Sequence, residues 1–447
     1  MMTKRLAAYF FGLCVGGAAA AGGAGDPAFD LDVVDSYRWD EVTPADPNLA
    51  SQFGRAIATD GEWAMIGAPE AENRIGQILL FQASTAGRPW RLLGPLASPT
   101  DVSFCRAGTR LALSGDWLIA STNCGPFLYA RNQGGSNSWG LVGLLPEPLD
   151  VVDLSRASAS TDVSVSGDLM AIGRRETDFT GDPFINAMGE VAIHQRDAGG
   201  AGAWGEIAVI LPPVPDRAGG GFGTRVSLQG QRVLVAASGF SDGTFTGVGR
   251  AWLFEQDLGG SNNWGLRQTF SNPRPVTSGF FGDDVELGAD VVAIGGPAGE
   301  LTPAVSNDRA VYVYQQNTGG ANAWGLVDEV LPVPAGAGFG GNIQIAGDLM
   351  LVGDGPGSTL SRGAWLYERD GQQWPLRQSF LADDTNEPEP ELFRNLGHSV
   401  GLGIRGTRTV AVIADDTFER TNAGSRIGKA FFFEYDDGLF MDSFEAL

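Results

Sequence analysis

Histidine is nearly absent from this chain: its 447 residues include only His194 and His398, and cysteine occurs three times, at Cys14, Cys105 and Cys124. A transition-metal site made of imidazole and thiolate ligands has almost no raw material here. A nucleophile that needs a histidine base has two candidates at most. Positive charge is also scarce, 30 Lys and Arg against 53 Asp and Glu, for a formal charge of -23. Such a surface repels phosphate backbones and anionic lipid and favours cations or basic partners, so nucleic acid is set aside as a partner. Apart from the N-terminal stretch, no apolar run is long enough to cross a bilayer, and no transmembrane segment is expected.

Glycine is abundant, at 65 residues, with 24 prolines and a 43% apolar content. That combination fits many tight turns between short strands better than it fits disorder. The first 24 residues place Lys4 and Arg5 before an apolar stretch and then small residues from Ala18 to Ala24, the pattern of a secretory signal. Leu13 stands where a lipobox needs a small residue before Cys14, which argues against lipidation. The mature protein is therefore expected to be exported, to the periplasm, the cell surface or the medium, and to keep only Cys105 and Cys124. These two bracket one hairpin, so antiparallel pairing would set them side by side, and in an exported protein a disulfide is expected.

One segment returns seven times at a spacing of roughly 60 residues, a period typical of repeat architectures. It reads FGRAIATDGEWAMIGAP from Phe53, FGTRVSLQGQRVLVAAS from Phe222, FGDDVELGADVVAIGGP from Phe281 and FGGNIQIAGDLMLVGDG from Phe339. Weaker copies lie at Ala107-Gly108, around Ser166-Gly167-Asp168 and at Leu396-Gly397. Each copy is an alternating run, a polar turn and a second apolar run, which is a β-hairpin. A third run, rich in aromatic and β-branched residues, follows in each unit, ending at positions such as Phe81, Phe254, Tyr314, Tyr367 and Phe433. A fourth run opens on Trp90, Trp139, Trp204, Trp264, Trp324 or Trp374. Four strands per unit and seven units predict an all-β, seven-bladed propeller of four-stranded antiparallel blades.

The seventh unit ends near Tyr435 without a tryptophan-led run, whereas Tyr37 to Val42 has that pattern ahead of the first unit. Pairing of Trp39 to Val42 with the run at 431–435 would close the ring and leave no long sheet edge open. The propeller then occupies 27–436, behind a signal peptide at 1–24 and ahead of a short acidic tail at 437–447. A monomer is expected.

The repeated Phe-Gly, the Gly-Asp turn and the Gly-Ala-Pro at Gly67 to Pro69 resemble the FG-GAP repeats of the integrin α-subunit propeller and of many bacterial secreted proteins. The resemblance runs from about residue 37 to 436 and is clearest in units one, four, five and six. It implies a seven-bladed ring and, by association, recognition or adhesion outside the cell. Family members often hold calcium in a D-x-[DN]-x-D-G loop, but no such loop occurs here. The nearest stretches, Asp178 to Asp182, Ser241 to Gly243 and Asn307-Asp308, lack alternating oxygen ligands, so no cofactor is expected. Four connections, RNQGGSNSWG, RDAGGAGAWG, QDLGGSNNWG and QNTGGANAWG, are nearly identical and read as structural turns.

Two motifs mimic catalysis. Gly397 to Gly401 spells G-x-S-x-G, but it occupies a repeat strand and no histidine follows His398. Gly336 to Gly341 spells G-x-G-x-x-G without a dinucleotide fold around it. His194 stands where other units end the third run on an aromatic residue, so a packed strand residue is expected.

In such blades the turns within strand pairs one–two and three–four share one face, and the variable connections share the other. Variable loops on a rigid scaffold carry recognition. The candidate binding residues on that face are Arg174, Arg175, Glu176, Asp178, Phe179 and Phe184 in unit three, with Glu387 and Glu389 between units six and seven. The expected function is that of a secreted, non-catalytic propeller binding an extracellular protein or glycan. The alternatives are a propeller enzyme acting on polysaccharide through loop carboxylates and a structural component of a surface assembly.

Overall fold

A computed structural model describes residues 32–38, 51–84, 90–98, 103–145, 162–175, 188–214, 220–298, 309–332, 338–355, 363–381, 395–417 and 427–436. The stretches read from the sequence as a leader, 1–24 with Cys14, and as a tail, 437–447, lie outside them. The described strands form seven four-stranded antiparallel sheets arranged in a ring, a seven-bladed β-propeller. The innermost strands are Ile57–Thr59, Arg110–Ser114, Asp162–Ser166, Arg225–Gln229, Val285–Leu287, Phe339–Ala346 and Ser399–Arg405. In blades one to six the remaining strands follow outward in chain order.

Phe-Gly and Gly-Ala-Pro are two halves of one joint between blades. The phenylalanine packs on the third strand of its own blade: the Phe222 ring lies 5.4 Å from Trp252, and Phe339 lies 5.3 Å from Trp365. Both phenylalanines are buried, each contributing about 2–3 kcal/mol of apolar burial. The glycine that follows meets the preceding blade backbone to backbone. A Cβ on Gly173 would stand 2.0 Å from the Gly223 carbonyl oxygen, and one on Gly295 would stand 2.1 Å from that of Gly340. Gly223 itself has φ +86°, a conformation glycine adopts without a steric penalty. In blades four and seven the first half of the joint is alanine, and the Cβ atoms of Ala236 and Ala414 lie against Gly282 and Gly54. The repeat is thus conserved in shape within this chain because each blade must approach its neighbour this closely.

The four Gly-Gly connections behave as turns. Asn132, Asp197, Asp257 and Asn317 each adopt positive φ. Each accepts, through its side chain, the backbone N–H five residues on, at 2.7, 2.6, 2.6 and 2.9 Å. The tryptophans that follow are buried. Every pair of third and fourth strands in blades one to six carries a register shift at the same point, for example Leu253/Phe254 and Val313/Tyr314. His194, opposite Met170, sits at that aromatic position and is fully buried.

The ring closes as one mixed-termini blade, with the N-terminal strand paired to Lys429–Asp436. The register corrects the sequence reading. Asp32–Arg38 does the pairing, from Asp32 opposite Glu434 to Arg38 opposite Lys429, and Trp39 to Val42 fall outside the described residues. In blades two to five the tryptophan opens the strand, as Trp264 does opposite Gln256. Here the pairing already begins at Asp32, opposite Glu434, ahead of both Tyr37 and Trp39 in the sequence. Tyr37 takes the packing role: its ring lies 5.0 Å from Phe81 and 5.7 Å from Phe432, and its hydroxyl donates to the Trp90 carbonyl. The closing strand therefore grips blade one as well as blade seven.

Cys105 and Cys124 form a disulfide, with Cα atoms 5.1 Å apart. It ties the approach to blade two to the end of that blade's second strand.

Candidate functional site

The inner strands surround an axial cavity of about 590 Å³. An innermost strand has one edge with no further strand to pair, and its N–H groups need acceptors. Side chains of the preceding blade supply many of them. Val226 N donates to Asp162 Oδ2 at 2.9 Å, Leu228 N to Ser164 Oγ at 3.0 Å, and Gly230 N to Ser166 Oγ at 3.0 Å. Leu287 N donates to Ser227 Oγ at 3.0 Å, Ile343 N to Asp284 Oδ2 at 2.7 Å, and Val400 N to Asn342 Oδ1 at 3.3 Å. Much of the polar lining is therefore structural.

The charges among these residues form a pattern. Two places after the repeat glycine, or after Ser160, which replaces it in blade three, blades two to five carry Arg110, Asp162, Arg225 and Asp284 in turn, all lining the cavity. Arg225 Nε donates to Asp284 Oδ1 at 3.1 Å, while Arg110 stays 3.7 Å from Asp162 Oδ1. The Arg225 guanidinium, with burial second, pulls Arg110 down to about 10. Burial would lower Arg225 too, but Asp284, Asp162 and Asp283 together hold it above its usual value. Burial pushes the Asp284 carboxyl up to about 7, against the pull of Arg225. Burial and then the neighbouring Asp284 push Glu286 up to about 8, although Ser227 Oγ donates to it at 3.1 Å.

These axial residues were missed in the sequence, although a signal existed. FGTR and FGDD place a charge at the same offset, but the offset acquires meaning only when a ring aims all seven positions at one axis.

Beside the channel, His398 Nε2 accepts from Arg55 Nη1 at 2.6 Å, and Asp416 Oδ2 accepts from the same nitrogen at 3.2 Å. Burial, followed by nearby Arg55 and against the opposing pull of Asp416, holds His398 down to about 4, so it is neutral at pH 7. Ser399 is buried on an inner strand and its motif lies in no strand–turn–helix elbow. The hydrolase likeness is one of spelling.

Of the predicted binding residues, Arg174 and Arg175 are described. Arg174 is 8% exposed, with its guanidinium reaching Glu190 at 3.2 Å and Glu206 at 3.4 Å. It braces its own blade. Arg175, next to it, is exposed. Glu176, Asp178, Phe179, Phe184, Glu387 and Glu389 lie outside the described residues. Asp242, in one of the weak calcium stretches, accepts the N–H groups of Thr244 and Phe245, which lower its pKa. No group of three His, Cys, Asp or Glu side chains suited to a metal occurs among the described residues, and no helix there is long and apolar enough to cross a membrane.

The class that fold and channel define is the seven-bladed propeller. No family model and no curated protein matches the chain. Among solved structures it is similar to the N-terminal domain of Nup159, at 9% identity and TM-score 0.43, over 91% of this chain and 96% of that one. It is also similar to the hydrazine synthase of Kuenenia stuttgartiensis, at 12% identity and TM-score 0.44, over 83% and 94%. Likeness at this level carries no function, and the fold assignment stands on the strand pairing itself.

Proposed function

We propose that this protein is an exported, non-catalytic recognition propeller of FG-GAP type that binds an extracellular protein or glycan through one face. The observation that carries the reading is the inequality of the two faces. First-to-second-strand turns are as short as 115–116, 167–168 and 230–231, and the third-to-fourth connections of blades two to five repeat one turn. On the opposite face the second-to-third connection covers 122–126 in blade two but 175–189 in blade three and 416–428 in blade seven. Selection for a stable ring alone has no need of that spread, whereas recognition does. The disulfide suits an oxidising compartment.

Screening purified protein on glycan and extracellular-protein arrays tests this. Replacing 176–187 by a short Gly-Ser linker, or Arg175→Glu, should weaken the binding found, and rebuilding the turn at 198–203 should not. Binding that survives the first changes and is lost with the last would refute the assignment of the face. A catalytic reading would draw on Asp284 and Glu286, the paired axial acids, yet Asp284 and Glu286 already serve as acceptors for the next strand. An Asp284→Asn, Glu286→Gln variant should therefore leave any polysaccharide turnover at background, as in the wild type.

A further inference from the structure

We propose that the end of the axial channel nearest the variable connections binds a small carboxylate of sugar-acid size between the guanidiniums of Arg110 and Arg225. This goes beyond the loop-face reading and does not depend on it. Both arginines are the first residues of inner strands, in blades two and four, so both stand at the end of the channel where those connections arrive. Both line the same cavity, whose 590 Å³ suits one or two sugar rings.

The Arg110 guanidinium has five N–H donors and makes no side-chain hydrogen bond among the described residues; a carboxylate oxygen of Asp162 is 3.7 Å away. Its side chain is 20% exposed, toward the cavity it lines. Arg225 spends Nε on Asp284 and Nη1 on the Thr224 carbonyl, which leaves Nη2 uncommitted. The acids cannot swing over to satisfy these donors, because Asp162 and Asp284 are each held by a backbone N–H of the next blade. A third guanidinium, Arg55, is held nearby by His398 and Asp416. The protein has thus brought like charges together and relieved the repulsion between Arg110 and Arg225 only in part, through Asp162 and Asp284, as the depressed Arg110 pKa also records.

A planar carboxylate relieves it, since guanidinium and carboxylate match in a two-bond fork. A phosphate or sulfate of higher charge density would press against Asp162 and Asp284. A polyanion would meet a molecule of charge -23 before it reached the channel.

Calorimetric titration with glucuronate, with glucose as the neutral control, tests the site. Saturable glucuronate binding is expected, with none for glucose, and Arg110→Gln should weaken it at least tenfold. The Arg110 side chain makes no hydrogen bond, and loss of its 3.7 Å approach to Asp162 is offset by loss of the repulsion from Arg225, so this variant should melt close to the wild type. Should it misfold, the wild-type protein still decides the matter: glucuronate, and not glucose, should shield Arg110 from phenylglyoxal in peptide mass mapping. Absence of binding or of shielding, unchanged affinity in Arg110→Gln, or tighter binding of inorganic phosphate or sulfate than of glucuronate would each overturn the proposal.

Discussion

Glu286 shows how a single residue in the channel couples chemistry to stability. Its carboxyl ionises near 4.5 in an unfolded chain and near 8 in the folded one, chiefly because burial disfavours the charge. Below about pH 4.5 both states hold the proton and folding carries no cost from this group. As pH rises, the unfolded chain releases the proton while the folded protein keeps it, so stability falls until about pH 8 and then levels. Glu286→Gln removes the ionisation and keeps an oxygen acceptor for the neighbouring strand. The variant is therefore expected to melt close to wild type near pH 4.5 and several degrees above it near pH 8. Melting curves across that range check this; a constant difference would show that channel water already solvates the ionised carboxylate.

At the scale of strands, the joints between blades matter more than any one side chain. Gly173, near the end of a second strand, faces the Gly223 backbone oxygen so closely that even a methyl group has no space, and the turn that carries this oxygen is pinned by the Gly223 N–H donating to the Ala236 carbonyl. Gly173→Ala should cost about 3 kcal/mol, as overpacking between fixed elements does, read as a lower urea midpoint. The same substitution at Gly135, where nothing lies within 4 Å of a Cβ, tests only the local turn and should cost less. These joints also explain what the sequence disclosed. Hairpins such as 225–237 and the aromatic third strands were legible because alternation and turn chemistry are local properties. The closing strand was legible in existence but not in register: Tyr37 and Trp39 are both aromatic, and packing on Phe81 and Phe432, which selects Tyr37, appears only in three dimensions. The axial Arg and Asp residues were visible as letters, but nothing local distinguishes Arg225 in FGTR from any other strand-edge charge. The bracing of Arg174 was not legible for a related reason, since its partners Glu190 and Glu206 come from the third and fourth strands of its blade.

For the whole molecule, the decisive feature is that the two termini share one sheet. The first three strands of blade seven come from the C-terminal end and the fourth from the N-terminal end, so opening the ring means losing the contacts of Asp32–Arg38 with both Lys429–Asp436 and blade one. Deleting 27–38 should therefore lower the melting temperature of the entire domain and, by baring the edge of Lys429–Asp436, promote association of chains. A deletion alone cannot separate the lost strand from the lost closure. A circular permutant can. Asp32 lies opposite Glu434, so the two ends stand where every other blade places its third-to-fourth turn. Joining 436 to 32 through a turn of the type at 257–263, with new termini at 215–219, keeps all four strands of blade seven in one continuous segment and moves the break to a connection between blades. If closure by shared termini serves only to supply the strand, the permutant should keep the association state of the wild type and melt at or above the wild-type temperature. A permutant that melts many degrees lower would mean that the junction between blades three and four must be covalent, and that the ring's weakest seam lies there and not at its natural ends.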